Sequence, residues 1–211
     1  MTRQPSRHLI VYAKTRLGQG IGMEESSSVY ARLLFGYLID LLQANLESTV
    51  IELSVASPDD VSFFSAAFPE LVVCPQVDGD LGERMAASFA RAFDQGASSV
   101  VLSGSDIPSL NSHIVHAAFQ DLETTPIVLG PASDGGYYLI GMQKPNAFLF
   151  QDIEWSTDRV LAQTEARIRA RGLAVAYLPR LHDMDTVIEY ERWRAEHSRA
   201  HKLEPHKGDA A

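Results

Sequence analysis

Short apolar runs alternate along the chain with longer stretches whose apolar residues return at helical spacing, a pattern that predicts strands joined by helical crossovers into a largely parallel sheet. The first run covers residues 9–12. Behind a glycine-bearing loop, Val29, Leu33, Leu34, Leu38, Leu41 and Leu42 give a long helix one apolar face to lay on that sheet. A second strand is predicted over 51–55. Ser57-Pro58-Asp59-Asp60 carries the proline and early acidic residues of a helix start, for a short helix reaching Phe68. A third strand follows at 71–74. Beyond Gly82, the residues Met85, Phe89 and Phe93 fall on one helical stripe that Gly96 terminates.

The apolar run 99–102 is bounded by Gly104 and Pro108, as expected of a central strand that stops at a polar loop. A helix from about Ser112 leads to a strand at 127–129. A strand at 137–142, a helix over 158–171, a last strand at 174–178 and a terminal helix from Val187 complete the order. The expected organisation is one domain over 1–196 with a three-layer α/β/α architecture and a mixed, mostly parallel central sheet. The polar segment 197–211 is expected to fray, and His201 and His206 within it read as solvated residues. There is no internal repeat.

Composition narrows the function classes. A chain of 211 residues with 45% hydrophobic content can bury a full core as one unit. Its longest apolar runs fall far short of the roughly 20 residues that span a bilayer, so no transmembrane segment is expected. Arg3 and Arg7 precede only a strand-sized apolar stretch, which does not read as a signal peptide. The lone Cys74 excludes an internal disulfide framework and fits a reducing, cytoplasmic setting, where it reads as a small buried hydrophobe. A formal net charge of −9 argues against a polynucleotide partner while leaving room for a local basic site that holds one nucleotide. Oligomeric state is left open, a homodimer included.

Five segments carry chemistry. Ser103-Gly104-Ser105-Asp106-Ile107-Pro108 directly follows the expected central strand, where open parallel sheets bind ligands and where a carboxylate can hold a hard cation against phosphate oxygens. Capping of the next turn is the competing role for Asp106. In Leu181-His182-Asp183-Met184-Asp185-Thr186, two aspartates two positions apart point the same way in an extended backbone, so one or both can complete a metal shell, while Asp185 or Thr186 can cap the terminal helix. The stretch from Gly130 through Ser133-Asp134-Gly135-Gly136-Tyr137 sets a carboxylate beside two glycines that permit close backbone approach to a ligand. Asp-Gly is also a strong hairpin signal, and one loop can serve as both turn and site. Lys14-Thr15-Arg16-Leu17-Gly18-Gln19-Gly20-Ile21-Gly22 joins two cations to backbone amides able to cradle phosphates, although it matches neither the P-loop nor the dinucleotide fingerprint. Asp78-Gly79-Asp80-Leu81-Gly82-Glu83-Arg84 offers Arg84 as a phosphate contact and Asp80 as a helix cap.

Taken in order, residues 79–85, 104–108 and 130–138, with Trp155-Ser156-Thr157 and Asp183-Met184-Asp185-Thr186, resemble a bacterial glycosyltransferase-A-like family. That family was formerly a domain of unknown function and is described as arsenosugar-biosynthesis-type glycosyltransferases, within the nucleotide-diphospho-sugar transferase superfamily. The resemblance implies that fold, Mg²⁺ or Mn²⁺ held by Asp106 with Asp183 or Asp185 approaching from the other side, and Asp134 near the acceptor, with Gly135, Gly136 and Tyr137 about it. Lys14, Arg16, Gly18, Gly20, Arg84, Gly104 and Ser105 are the candidate nucleotide and phosphate contacts. The first loop departs from the family's longer form, passing from the strand to Lys14-Thr15-Arg16-Leu17 with no preceding proline.

Three functions follow as expectations. The first is transfer of a sugar from a nucleotide-diphospho-sugar donor to a small-molecule acceptor, with Asp134 as proton acceptor. The second is nucleotidyl transfer from a nucleoside triphosphate to a phosphorylated small molecule with release of pyrophosphate, guanylyltransferase-like, which the two cations of the first loop favour. The third is nucleotide binding without catalysis.

Overall fold

A computed structural model describes residues 6–13 and 23–182 of the chain, with the side chains of the first helix described from Tyr30 onward. The expected terminal helix and the 197–211 tail lie outside the described residues. In chain order the elements are β1 Ser6–Tyr12, α1 Met23–Gln43, β2 Thr49–Val55, α2 Asp60–Ala67, β3 Val72–Pro75, α3 Leu81–Asp94, β4 Ala97–Ser103, α4 Ser112–Asp121, β5 Ile127–Pro131, β6 Tyr137–Met142, α5 Val160–Ala170 and β7 Val175–Tyr177. The expected strands and helices within the described residues are all present, with ends displaced by a few residues. A short 3₁₀ turn, Ala147–Phe150, has no counterpart in the expectations.

The seven strands form one sheet in the order β3-β2-β1-β4-β6-β5-β7. Neighbours are parallel except at β6, which runs antiparallel to both β4 and β5. That reversal follows from the Asp134-Gly135 turn: a tight hairpin between β5 and β6 leaves the second strand no other direction. β4 lies in the middle of the sheet, as its unbroken apolar run requires, since a strand covered on both faces has no polar side to offer.

Alternation along the central strands sorts their side chains into two cores. Leu9 and Val11 of β1, Leu53 of β2 and Val101 of β4 face α1 and α4, where Leu34, Leu38, Leu41, Val115 and Phe119 close over them. Ile10 and Tyr12 of β1 with Val100 and Leu102 of β4 face α3 and α5, against Met85, Phe89, Leu161 and Ile168. The result is three layers, α/β/α. No helix among the described residues is long and apolar enough to cross a membrane.

One polar cluster interrupts the second core. Glu52 on β2 is fully buried, accepts a hydrogen bond from Arg91 of α3, and lies 3.3 Å from His8 Nε2 on β1 without hydrogen-bond alignment. Burial alone would push the Glu52 carboxyl up. His8 and Arg91 outweigh it and hold the carboxyl below its ordinary range. Above that range the ion pair therefore contributes fully to stability, and the contribution is lost as pH falls through the depressed value.

An Arg91→Met variant leaves the Glu52 charge without its main partner and is expected to lose about 3 kcal/mol at neutral pH. The deficit shrinks below about pH 4, where the carboxyl of the variant is protonated and neutral. Urea unfolding at both pH values checks this, and a variant as stable as the wild type at neutral pH excludes the role given to Arg91.

Candidate functional site

Four strand ends meet at one edge of the sheet. β1, β4 and β5 finish there and β6 begins there, with Val11 opposite Ser103, Ser103 opposite Leu139 and Pro131 opposite Tyr137. Between β1 and β4 the strand order changes direction, and a crevice opens where the connection after β1 leads towards β2 and the connection after β4 leads the other way along the sheet, towards β5.

The exit from β4 is held by buried hydroxyls. Tyr37 of α1 lies 3.1 Å from Ser103 Oγ, and Ser105 Oγ donates to the Tyr12 carbonyl at 2.7 Å while meeting the Tyr30 hydroxyl at 2.9 Å. Gly104 N–H donates to the Tyr138 carbonyl at 2.9 Å. Asp106 stands half-buried at the end of this fixed segment, its Oδ1 so close that a Cβ on Gly104 would lie 3.0 Å away. The following helix, α4, takes its N-cap from Asn111, whose Oδ1 accepts from Ile114 N–H. Asp106 is thus not the cap of α4, and it lines the crevice.

The hairpin between β5 and β6 closes with Ala132 N–H bonded to the Gly136 carbonyl, and Asp134 Oδ1 accepts from Gly136 N–H at 2.8 Å. Gly135 adopts φ +89°, and a Cβ there would stand 2.2 Å from the Asp158 carbonyl. Its own carbonyl accepts from Leu161 N–H, so the start of α5 docks directly on the turn. Asp134 is left exposed on the rim.

The third wall joins α3 to the loop before α5. Asp80 and Glu83 form a reciprocal capping box at the start of α3. Gly82, one residue into the helix, is buried: a Cβ there would come within 2.6 Å of the Phe150 carbonyl and 2.8 Å of Trp155 Nε1. The Trp155 indole therefore packs directly against a helix start that only glycine leaves open. Ser156 beyond it adopts φ +64°, an uncommon conformation for serine, and Thr157 Oγ1 anchors the loop by donating to the Glu154 carbonyl at 2.7 Å.

These walls enclose a cavity of about 250 Å³. Gly104, Asp106, Asp134, Gly136 and Tyr137 line it, which brings together candidates from two segments distant in sequence. Gly135, Ser105 and Arg84 do not line it. The Ser105 hydroxyl is committed to Tyr12 and Tyr30. Arg84 turns back on its own loop, with Nε donating to the Gly79 carbonyl at 2.8 Å. Lys14, Arg16, Gly18, Gly20, Asp183 and Asp185 lie outside the described residues. The sequence reading gave no site role to Tyr12, Leu81, Met85 or Trp155, all of which line the cavity. Strand and helical periodicity explained Tyr12 and Met85 as core, and the signals that existed were the family-like segments 79–85, which holds Leu81 and Met85, and Trp155-Ser156-Thr157.

Burial pushes the Tyr12 and Tyr138 hydroxyls up to about 12 and raises Tyr137 as well, so none of the three accepts a proton near neutrality. Beyond β7 the chain pairs again beside Ala132 through Leu181, and Ser133 Oγ reaches the Leu181 carbonyl at 3.0 Å and His182 Nδ1 at 2.9 Å. The segment that continues to Asp183 therefore leaves from the rim that carries Asp134. Among the described residues no group of three or more metal-ligating side chains occurs.

Similarity to known proteins agrees with this geometry. A protein from Desulfovibrio desulfuricans G20, provisionally named a nucleotide-diphospho-sugar transferase, matches with 31% identity and a TM-score of 0.79 over 87% of this chain and 84% of its own. CMP:2-keto-3-deoxy-manno-octonic acid synthetase complexed with CTP superposes with a TM-score of 0.59 at 11% identity, over 92% of this chain and 99% of that one. Rv0371C from Mycobacterium tuberculosis H37Rv, in complex with manganese, does so with a TM-score of 0.55 at 15% identity, over 90% and 97%. The last two likenesses establish the fold alone. Among curated proteins none matches. The family described as "Uncharacterized protein conserved in bacteria (DUF2064)" matches residues 40–157, more than half of the chain. With that match and a relative at 31% identity along most of its length, the chain belongs to the DUF2064 family and has the nucleotide-diphospho-sugar transferase fold.

Proposed function

We propose that this protein is a metal-dependent glycosyltransferase that moves a sugar from a nucleotide-diphospho-sugar donor to a small acceptor. The observation that carries the reading is the convergence of Asp106 and Asp134 on one aromatic cavity at the carboxyl edge of the central strands. The provisional name of the Desulfovibrio desulfuricans relative supports it. The finer assignment to arsenosugar biosynthesis rests on the motif resemblance alone.

The donor set suits Mg²⁺ or Mn²⁺. Such ions are commonly held by one or two carboxylates, with water and phosphate oxygens completing the shell. Asp106 is the proposed ligand, and Asp183 or Asp185 would join it from the segment that leaves the rim at His182. A divalent cation there supplies charge neutralisation for a diphosphate leaving group. Lys14 and Arg16 of the first loop would add positive charge to the same end.

On the acceptor side, Asp134 sits on the exposed rim with one oxygen steadied by Gly136 N–H. Its other oxygen is the proposed proton acceptor. As an acceptor hydroxyl oxygen bonds to the anomeric carbon, the bond from that carbon to the diphosphate oxygen breaks and the hydroxyl proton passes to Asp134. The neutral tyrosines and Trp155 position the sugar without entering the proton transfer.

Nucleotidyl transfer to a phosphorylated molecule is the second reading, favoured by the shared fold with a synthetase that binds CTP. Product analysis separates the two: the leading reading expects nucleoside diphosphate, whereas pyrophosphate release from a triphosphate would establish the alternative. Nucleotide binding without any product would leave a non-catalytic nucleotide-binding protein.

Asp106→Ala is expected to weaken metal-dependent nucleotide binding by about 100-fold or more, roughly 3 kcal/mol, and to change unfolding stability by less than about 1 kcal/mol. Calorimetric titration with Mn²⁺ present, alongside urea unfolding, measures both. Unchanged nucleotide affinity in a folded variant removes Asp106 from the site.

A further inference from the structure

The segment that follows β7 is stitched to the carboxyl end of β5. Leu178 N–H donates to the Leu129 carbonyl at 2.9 Å, Leu181 N–H to the Pro131 carbonyl at 3.0 Å, and Arg180 Nη1 to the Ala132 carbonyl at 2.9 Å. These bonds guide the chain along the β5–β6 hairpin as far as Leu181. Past that residue, no backbone bond among the described residues continues the pairing.

The tie at that point is Ser133. Its Oγ lies 3.0 Å from the Leu181 carbonyl and 2.9 Å from His182 Nδ1. A carbonyl has no proton to give, so the bond to Leu181 takes the single proton of the serine. His182 Nδ1 must then be the donor in the second bond, which fixes the ring with its Nδ1–H on Ser133 and its Nε2 turned away. The hairpin itself does not need this hydroxyl. It is already closed by Ala132 N–H on the Gly136 carbonyl and by Gly136 N–H on Asp134 Oδ1. The Ser133 side chain spends both of its bonds on the other segment.

The two ends of this contact adjoin the two halves of the proposed chemistry. Ser133 precedes Asp134, the proposed proton acceptor, and His182 precedes Asp183. Consecutive Cα atoms are about 3.8 Å apart, and even Asp185 is no more than about 11 Å of extended chain beyond His182. Where His182 is held therefore limits where either aspartate can stand. A segment released at Leu181 would have to be ordered as the cation binds, and the freedom lost then opposes binding. A segment held at His182 has been ordered on folding.

We propose that Ser133 and His182 form a latch that sets the segment carrying Asp183 and Asp185 against the Asp134 hairpin, making Ser133 a positioning residue for the metal side of the site. Ser133 does not line the cavity and acts through His182. The proposal rests on the transferase reading for the role of the two aspartates, while the latch itself belongs to the described residues alone.

The test uses the full chain. In calorimetric titration with Mn²⁺ and a panel of common nucleoside diphosphates, Ser133→Ala is expected to weaken metal-dependent nucleotide affinity about fivefold or more. Its urea unfolding stays close to that of the wild type, because the serine is exposed. Ser133→Thr keeps the hydroxyl and is expected to restore the affinity to within about twofold. Nitrogen NMR of the imidazoles at alkaline pH reads the latch without any ligand. The chain has seven histidines, so the His182 signals are identified as those lost in His182→Gln. They are expected to show the proton on Nδ1 in the wild type and in Ser133→Thr, and to move towards Nε2–H in Ser133→Ala. A His182 proton on Nε2 in the wild type overturns the latch. Unchanged affinity in Ser133→Ala overturns the positioning role, as does an affinity that stays low in Ser133→Thr although its Nδ1 proton has returned. A wild type with the latch in place and no metal-dependent nucleotide binding instead overturns the transferase reading, and the positioning role with it.

Discussion

Ser105 donates its buried hydroxyl to the Tyr12 carbonyl, and that 2.7 Å bond ties together the ends of the two strands between which the sheet changes its direction of growth. Because Ser105 has one proton to give, the Tyr30 hydroxyl meets it as donor, which fastens α1 to the same point. Tyr37 repeats the arrangement at Ser103. A short loop that would otherwise sample many conformations is thereby pinned from two elements, and the residue that follows, Asp106, inherits a fixed position. Without that pinning the crevice at the sheet edge would have a carboxylate nearby in sequence and none reliably in place.

Glycines perform the complementary task of letting walls come close. Gly82 admits Trp155 against the first turn of α3, Gly135 admits the backbone before α5, and Gly130 admits the Tyr138 ring, which a Cβ would approach to 2.5 Å. At Gly82 and Gly135 the nearest atom belongs to a segment distant in sequence, so these two join loops as much as they shape turns, while Gly130 makes room within the β5–β6 hairpin itself. The cavity is therefore a product of contact between α3, the β5–β6 hairpin and the loop before α5. The capping box of Asp80 and Glu83 keeps the α3 wall from fraying where it meets the indole.

The polar core beneath α3 sits directly behind this wall. Tyr12, which reaches the cavity with its ring, shares Ser88 with α3, and Glu52 holds the same helix through Arg91. Apolar replacement of a buried charge pair is often neutral or stabilising, so its use here is geometric: Arg91 meets Glu52 only when α3 lies at one position along β1 and β2. That position also sets Gly82 against Trp155.

Much of this protein was legible along the chain. Periodicity located the described strands and helices, the uninterrupted run before Gly104 marked the middle of the sheet, and Asp134-Gly135 announced the hairpin that reverses β6. These features are local, set by the spacing of a few neighbouring residues and by turn chemistry. Tyr12, Tyr30 and Tyr37 escaped because a tyrosine on an apolar stripe looks like any other core residue until the partner of its hydroxyl is known. Arg84 looked available for phosphate, yet its guanidinium folds onto Gly79, a local hydrogen bond that spacing cannot reveal. The sequence by itself determined the elements and the residue types able to bind a cation or accept a proton. Only the tertiary structure decided that Asp106, Asp134 and Trp155 share one cavity, because that depends on which strand ends lie side by side and on how closely glycine lets distant loops approach.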